Sequence, residues 1–93
     1  HLPVLEGGRV IGILSDRDVT LAMSFDLDLK HHRVEELMTR DVFTTSPTTN
    51  LGVVAKEMAE RRISSAVIVD GDRLAGMFTT LDALHALQEI VRS

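Results

Sequence analysis

The chain has 93 residues, of which 44% are hydrophobic and 26% charged, a composition typical of a single folded globular domain. A net charge of −4 argues against a nucleic-acid backbone as the partner, because that kind of binding needs a basic surface. No apolar run approaches the roughly 18 residues of a membrane-spanning helix, and the absence of cysteine excludes disulfides and thiolate chemistry.

The first elements predicted along the chain are a β-hairpin and a helix. Apolar residues 2–5 and 10–14 indicate two strands, and the glycines between them favour a tight turn. Ser15 then begins a helix, in which the apolar residues recur at helical spacing on one face. Residues 25–32 are expected to form a loop, and residues 33–38 a short helix.

A strand and a helix are predicted next. Residues 42–45 have the pattern of a strand, which Pro47 ends. The following helix is capped by Thr49 or Asn50 and ends near Arg62. The residues expected on its apolar face are Leu51, Val54, Ala55 and Met58.

The last part of the chain predicts a second hairpin and a final helix. Residues 66–69 and 74–78 indicate strands, and Gly71 lies in the turn that joins them. Thr79 begins the helix. The apolar positions of this helix are Ala83, Leu84, Leu87, Ile90 and Val91.

An internal repeat relates the two hairpins. When the sequence is shifted by 64 positions, residues 1–22 align with residues 65–86. The identical pairs are Gly7/Gly71, Arg9/Arg73, Gly12/Gly76, Asp18/Asp82 and Ala22/Ala86. The second copy has its own preceding strand and helix, whereas those of the first copy would fall before His1. We therefore expect the chain to be a truncated piece of a longer protein.

The repeated motif has the form Gly-x-x-Ser/Thr-x-x-Asp. It occurs as Gly12, Ser15 and Asp18, and again as residues 76, 79 and 82. One interpretation is a capping box, which stabilises a helix by about 1 kcal/mol. The other is half of a nucleotide site, with the helix N-terminus facing a phosphate and the aspartate accepting hydrogen bonds from a ribose. The glycine would let another backbone or a ligand come close.

The two copies resemble the CBS motif, the cystathionine-β-synthase-type domain. Residues 63–82 are similar to its second half, residues 1–18 to the same part of a preceding copy, and residues 37–39 with Val42 and Pro47 to its usual start. The resemblance implies an α+β (mixed α/β) CBS-domain pair with β-α-β-β-α repeats, small mostly antiparallel or mixed sheets and flanking helices. Residues 1–32 would be a partial first motif and residues 33–93 a complete second one.

In this family, such pairs bind AMP, ADP, ATP, NAD or S-adenosylmethionine between the copies and regulate attached or partner proteins. The resemblance implies one complete nucleotide site, with Ser15, Arg17, Asp18, Thr39, Val42, Ile63, Ser64, Ser65 and Ala66. It implies a second, partial site with His1, Leu2, Pro3, Thr79, Thr80 and Asp82. Leu81 replaces Arg17 there, so that site lacks the basic group.

No catalytic pattern is visible, and we expect neither an enzyme nor an obligatory cofactor. His31 and His32 are adjacent in a polar loop without a third ligand nearby, so a metal site is not expected. The sequence is expected to form a cytoplasmic homodimer through the CBS helices, without nucleic acid or a membrane segment. The alternative function is a structural dimerisation module without a ligand, because Leu84, Leu87, Ile90 and Val91 leave a broad apolar surface.

Overall fold

The structure, a computed structural model, describes residues 1–25 and 28–92. Asp26 and Leu27, in the loop expected from the sequence, and the C-terminal Ser93 lie outside the described residues. The chain forms two compact units, His1–Val42 and Phe43–Ser93. Residues 33–42 thus lie with the first unit, although the family resemblance groups them with the second motif.

The first unit begins with the predicted hairpin. Strand β1 (Leu2–Glu6) pairs antiparallel with β2 (Arg9–Leu14). Gly7 and Gly8 join them with φ angles of 57° and 83°, a region that glycine adopts without steric cost. The hairpin therefore depends on the chemistry of its turn as well as on its apolar residues.

Two helices complete the first unit. Helix α1 (Asp16–Ser24) follows β2 directly, and the expected loop contains a short 3-10 turn, Leu29–His31. Helix α2 (Val34–Leu37) leads to Thr39, which returns to β2 and exchanges two backbone hydrogen bonds with Ile13, of 2.9 and 2.8 Å. This return brings the end of the unit back to the strand that precedes Ser15.

The second unit has the predicted β-α-β-β-α order. Its elements are β3 (Thr44–Thr45), α3 (Leu51–Arg61), β4 (Ser65–Asp70), β5 (Arg73–Thr79) and α4 (Thr80–Arg92). Strand β4 pairs in parallel with β3 and antiparallel with β5, so the mixed α+β class is confirmed. Strand β3 is shorter than residues 42–45, because its ladder reaches only Thr44 and Thr45.

The core of the second unit lies between α3 and the sheet. Val54 and Met58 of α3 are buried with Ala66 of β4. Phe43, Ile63 and Phe78 pack against them. Leu51 and Ala55 are exposed, so only the residues at i and i+4 of the predicted apolar face reach the sheet.

Helix α4 has no buried residue, and its leucines at 84 and 87 are more than half exposed. The apolar surface expected on this helix is therefore present. No helix among the described residues combines the length and apolar character needed to cross a membrane.

Candidate functional site

The end of β2 and the start of α1 form the capping box predicted from the repeated motif. The Ser15 hydroxyl accepts a hydrogen bond from the Asp18 N–H at 3.1 Å, and the Asp18 carboxylate accepts the Ser15 N–H at 2.9 Å through Oδ2. Both residues are partly buried. The motif therefore holds a carboxylate in a fixed place beside the N-terminus of a nine-residue helix.

Thr39 comes to the same carboxylate from a different part of the chain. Its hydroxyl donates a hydrogen bond to Asp18 Oδ1 at 3.3 Å, across 21 positions of sequence. Both carboxylate oxygens of Asp18 thus have a donor from the first unit. The structure brings together Ser15, Asp18 and Thr39, three of the residues assigned to the complete site, while Val42 lies half-buried at the end of the unit.

Gly12 explains how Thr39 comes so close. A Cβ placed on this residue would overlap the Met38 side chain, lying 2.9 Å from its Cγ, and would stand 3.0 Å from the Thr39 carbonyl oxygen. The sequence left open whether another backbone or a ligand approaches this glycine. In the structure it is the chain itself, and Met38 is buried there.

Arg17 lies on a different side of α1. It lines a shallow depression of about 360 Å³, and its backbone N–H donates to the Asp16 carboxylate at 2.9 Å. The other residues lining this depression are Asp16, Thr20, Leu21 and Ser24. The contact between Arg17 and a phosphate stays a prediction.

The first residues of the chain run beside the end of β2. Leu2 pairs with Leu14, and Pro3 with Ile13, so His1 lies just before the paired residues next to the start of the motif. These three residues were assigned to the partial site, and their place in it stays a prediction.

The repeated motif caps α4 in the second unit. The Thr79 hydroxyl accepts the Asp82 N–H at 3.2 Å, while Asp82 Oδ2 accepts both the Thr79 N–H at 2.9 Å and the Thr79 hydroxyl at 3.0 Å. These hydrogen bonds, the backbone one first, lower the pKa of the Asp82 carboxyl below its ordinary value because they stabilise the charged form.

Two residues that the sequence assigned to different sites are in direct contact. The Ser64 carbonyl accepts the Thr80 N–H at 3.0 Å, because the hairpin of β4 and β5 aligns Ser65 with Thr79. Ala66 is fully buried in the core, and Ile63 packs against that core. Ser64 is therefore the exposed residue of this group, while Ser65 is half-buried.

The two loop histidines have separate partners. His31 Nδ1 lies 2.5 Å from the Asp28 carboxylate, and His32 Nδ1 lies 2.6 Å from the Glu36 carboxylate. The hydrogen bond with His32 lowers the pKa of Glu36. Within residues 1–25 and 28–92, no group of three potential metal ligands is present.

The chain is similar to curated proteins in sequence and to solved structures in fold. The chain is 37% identical over 84 residues to a homoserine O-acetyltransferase of Methanococcoides burtonii. The matched region covers 88% of this chain but only 16% of that protein. Among solved structures, it is similar to the CBS domain pair of protein MJ0100 in complex with 5-methylthioadenosine and S-adenosyl-L-methionine, with a TM-score of 0.82 and 28% identity. That match covers 95% of this chain and 69% of the other.

A second solved structure, CBSX2 in complex with AMP, has a TM-score of 0.80 and 26% identity, covering 96% of this chain and 71% of that one. The family model of the CBS domain matches residues 1–24 and 34–89, which takes in both copies of the repeated motif. The resemblance read from the two hairpins and their capped helices is therefore confirmed, and the chain belongs to the CBS domain family.

Proposed function

We propose that this chain is a regulatory module that binds an adenosine-containing ligand. Binding would control the protein to which the module is attached, or a separate partner protein. The observation that carries this proposal is the Asp18 carboxylate, which lies at the start of α1 with a hydrogen-bond donor on each oxygen. Two solved relatives above 25% identity are complexes, one with AMP and one with 5-methylthioadenosine and S-adenosyl-L-methionine, which supports the ligand class.

The chemistry of the first unit fits the ribose side of such a ligand. A carboxylate accepts hydrogen bonds from both hydroxyls of a ribose, and the N–H groups at a helix start attract an anion. We assign the ribose to Asp18 and the adjacent phosphate or sulfur group to Ser15 and Arg17. The family resemblance implies that Thr39, Val42, Ile63, Ser64, Ser65 and Ala66 lie on the adenine side, and this part of the site stays a prediction.

We also propose that the module is not an enzyme. Its relatives with enzymatic names are far longer than this chain, which matches them over one part only. The function proposed here needs a ligand to bind reversibly and requires no bond to break. The AMP or S-adenosylmethionine is then a signal, and no metal or permanent cofactor is part of the proposal.

Calorimetric titration tests the proposal with AMP, ATP, NAD and S-adenosylmethionine as separate ligands. We expect at least one to bind, and the Asp18→Ala variant to lose affinity by roughly 10- to 100-fold, since hydrogen bonds to a charged group contribute about 1.5–3 kcal/mol. Circular dichroism checks that the variant is folded. No binding of any of the four ligands to the folded parent would refute the proposed function.

Asp82→Ala is the matched control, because it removes the same carboxylate from the other copy of the motif. Leu81 stands there in place of Arg17, so we expect this partial site to contribute little and the variant to bind almost as the parent does. If Asp82→Ala loses the affinity and Asp18→Ala keeps it, the ligand site is assigned to the wrong copy.

A second candidate function is a dimerisation module without a ligand. It is favoured by α4, in which Leu84, Leu87 and Val91 are exposed. Packing within this unit does not require so apolar an outer face on a helix. Both functions are compatible with a homodimer formed through the helices, which we propose in either case. A dimer whose mass does not change with any nucleotide, and which binds none, would favour the second candidate.

The cytoplasmic location expected from the cysteine-free sequence stays a prediction.

A further inference from the structure

We propose that Thr39 is a positioning residue that fixes the Asp18 carboxylate for a ribose, and that its role in binding is exerted through Asp18 rather than through the base. This inference rests on the proposed function, and it identifies the residue that prepares the ribose site. It differs from the family resemblance, which places Thr39 on the adenine side.

Thr39 is itself held firmly. Its N–H and carbonyl both bond to Ile13, at 2.8 and 2.9 Å, so the residue is attached to the strand that leads directly into the motif. The side chain of the preceding residue, Met38, is buried over Gly12, where no Cβ would fit. The backbone that carries the Thr39 hydroxyl is therefore fixed relative to Asp18.

The two copies of the motif differ in how they hold the aspartate. In the first unit, Ser15 bonds to Oδ2 and Thr39 to Oδ1, so the carboxylate is held at both oxygens. In the second unit, both donors come from Thr79 and both reach Oδ2 of Asp82. Because the last torsion of aspartate is soft, a carboxylate held at one oxygen turns more easily than one held at two.

Fixing the carboxylate matters because a ribose presents two hydroxyls at a set spacing. Each carboxylate oxygen accepts about two hydrogen bonds, so Oδ1 and Oδ2 can still receive the diol while Thr39 and Ser15 stay in place. A group already held in its bound orientation loses less entropy on binding. The first unit is therefore the copy prepared for a diol.

The test is a comparison of adenosine with 2′,3′-dideoxyadenosine, which lacks the diol. We expect Thr39→Val to weaken adenosine binding by roughly 2- to 10-fold, the effect of one ordinary hydrogen bond, and to leave dideoxyadenosine binding unchanged. Thr39→Ser keeps the hydroxyl and should bind adenosine as the parent does. Thr48→Val, a change of the same kind in the exposed turn before α3, is the matched control and should have no effect.

A double variant separates positioning from direct contact. If Thr39 acts through Asp18, adding Thr39→Val to Asp18→Ala causes no further loss of adenosine affinity. Equal losses for adenosine and dideoxyadenosine, or a further loss in the double variant, would show that Thr39 contacts the ligand directly and would overturn the inference.

A measurement without ligand distinguishes this inference from the proposed function. In a carbon-13 spectrum of the free protein, the carboxyl resonance of Asp18 should move in Thr39→Val and return in Thr39→Ser, while slow exchange of the Ile13 and Thr39 amides shows that the backbone pairing is intact. An unmoved Asp18 resonance overturns the inference even if nucleotides bind. If the resonance moves but the parent binds no adenosyl ligand, the proposed function falls and the coupling of Thr39 to Asp18 stands.

Discussion

At the scale of single residues, the two glycines of the repeated motif show that equal sequence does not mean equal surroundings. Gly12 is buried under Met38 and Thr39, so that a Cβ there would overlap other atoms. At Gly76, the nearest atom to a Cβ is Ile68 Cδ1 at 3.9 Å, an ordinary contact distance. The same position of the motif therefore has a packing role in one copy and none in the other.

We expect Gly12→Ala to lower the free energy of unfolding by about 1–3 kcal/mol, the usual effect of forcing extra volume into a packed site. Gly76→Ala is the matched control and should raise it by up to about 1 kcal/mol, because alanine loses less backbone entropy in a strand than glycine does. Urea denaturation measures both. Equal effects of the two substitutions would contradict the close packing at Gly12.

The lowered pKa of Asp82 predicts how its cap responds to acid. A carboxyl with a depressed pKa in the folded state stabilises the protein above the pKa of the unfolded chain, near pH 4 for an ordinary aspartate, and this contribution is lost as the pH falls through the folded value. The parent should thus be more stable than Asp82→Asn at pH 7, with a difference that shrinks below about pH 4. Urea denaturation across this range checks it, and a difference independent of pH would contradict the assignment.

At the scale of elements, α3 ends in an unusual way. Arg62 has φ 56° and ψ 43°, the left-handed conformation that closes many helices, and its N–H bonds to the Ala59 and Met58 carbonyls. This position usually carries glycine, since a Cβ there is crowded. Asn50 caps the other end of the helix through the Gly52 N–H at 2.8 Å. The start of α3 therefore follows the sequence rules, and its end departs from them.

Replacing Arg62 by glycine should stabilise the protein by up to about 1 kcal/mol, because the strain of the left-handed residue is removed. Arg62→Ala is the control. It removes the same charged side chain but keeps the Cβ, so no gain is expected. Thermal unfolding monitored by circular dichroism measures the two variants, and equal melting temperatures would show that the backbone conformation carries no cost.

Most of the elements were predictable because they depend on neighbouring residues. The turn at Gly7 and Gly8, the cap at Ser15 and the order of the second unit follow from local chemistry and apolar spacing. The burial of α3 was predicted less well, since Leu51 belongs to the expected apolar face and is exposed. How much of a helix face is buried depends on the size of the surface against which the helix packs. The periodicity of the helix itself gives no information about that size.

At the scale of the whole molecule, α4 is the feature that the rest of its unit does not account for. It has 13 residues and none is buried. Exposed apolar area of this kind usually marks an interaction surface. We assign it to the proposed homodimer.

Charged substitutions on this helix test that assignment. Leu84→Asp and Leu87→Asp should each shift the protein toward the monomer in sedimentation equilibrium, because an ionised carboxylate in an apolar interface would be desolvated. Leu74→Asp, a change of an exposed leucine on β5, is the control and should leave the association constant unchanged. Dissociation in the control alone, or in no variant, would place the interface elsewhere.

The sequence by itself determined the repeat, the two hairpins, the capped helices and the family, because each rests on residues that are close together in the chain. It also identified Ser15 and Asp18 as a pair, since a capping box needs only four consecutive residues. Only the tertiary structure decided that Thr39 donates to Asp18 and that Met38 fills the space beside Gly12. These contacts join positions more than twenty residues apart, and no local pattern records which distant segment a folded chain brings back to a strand.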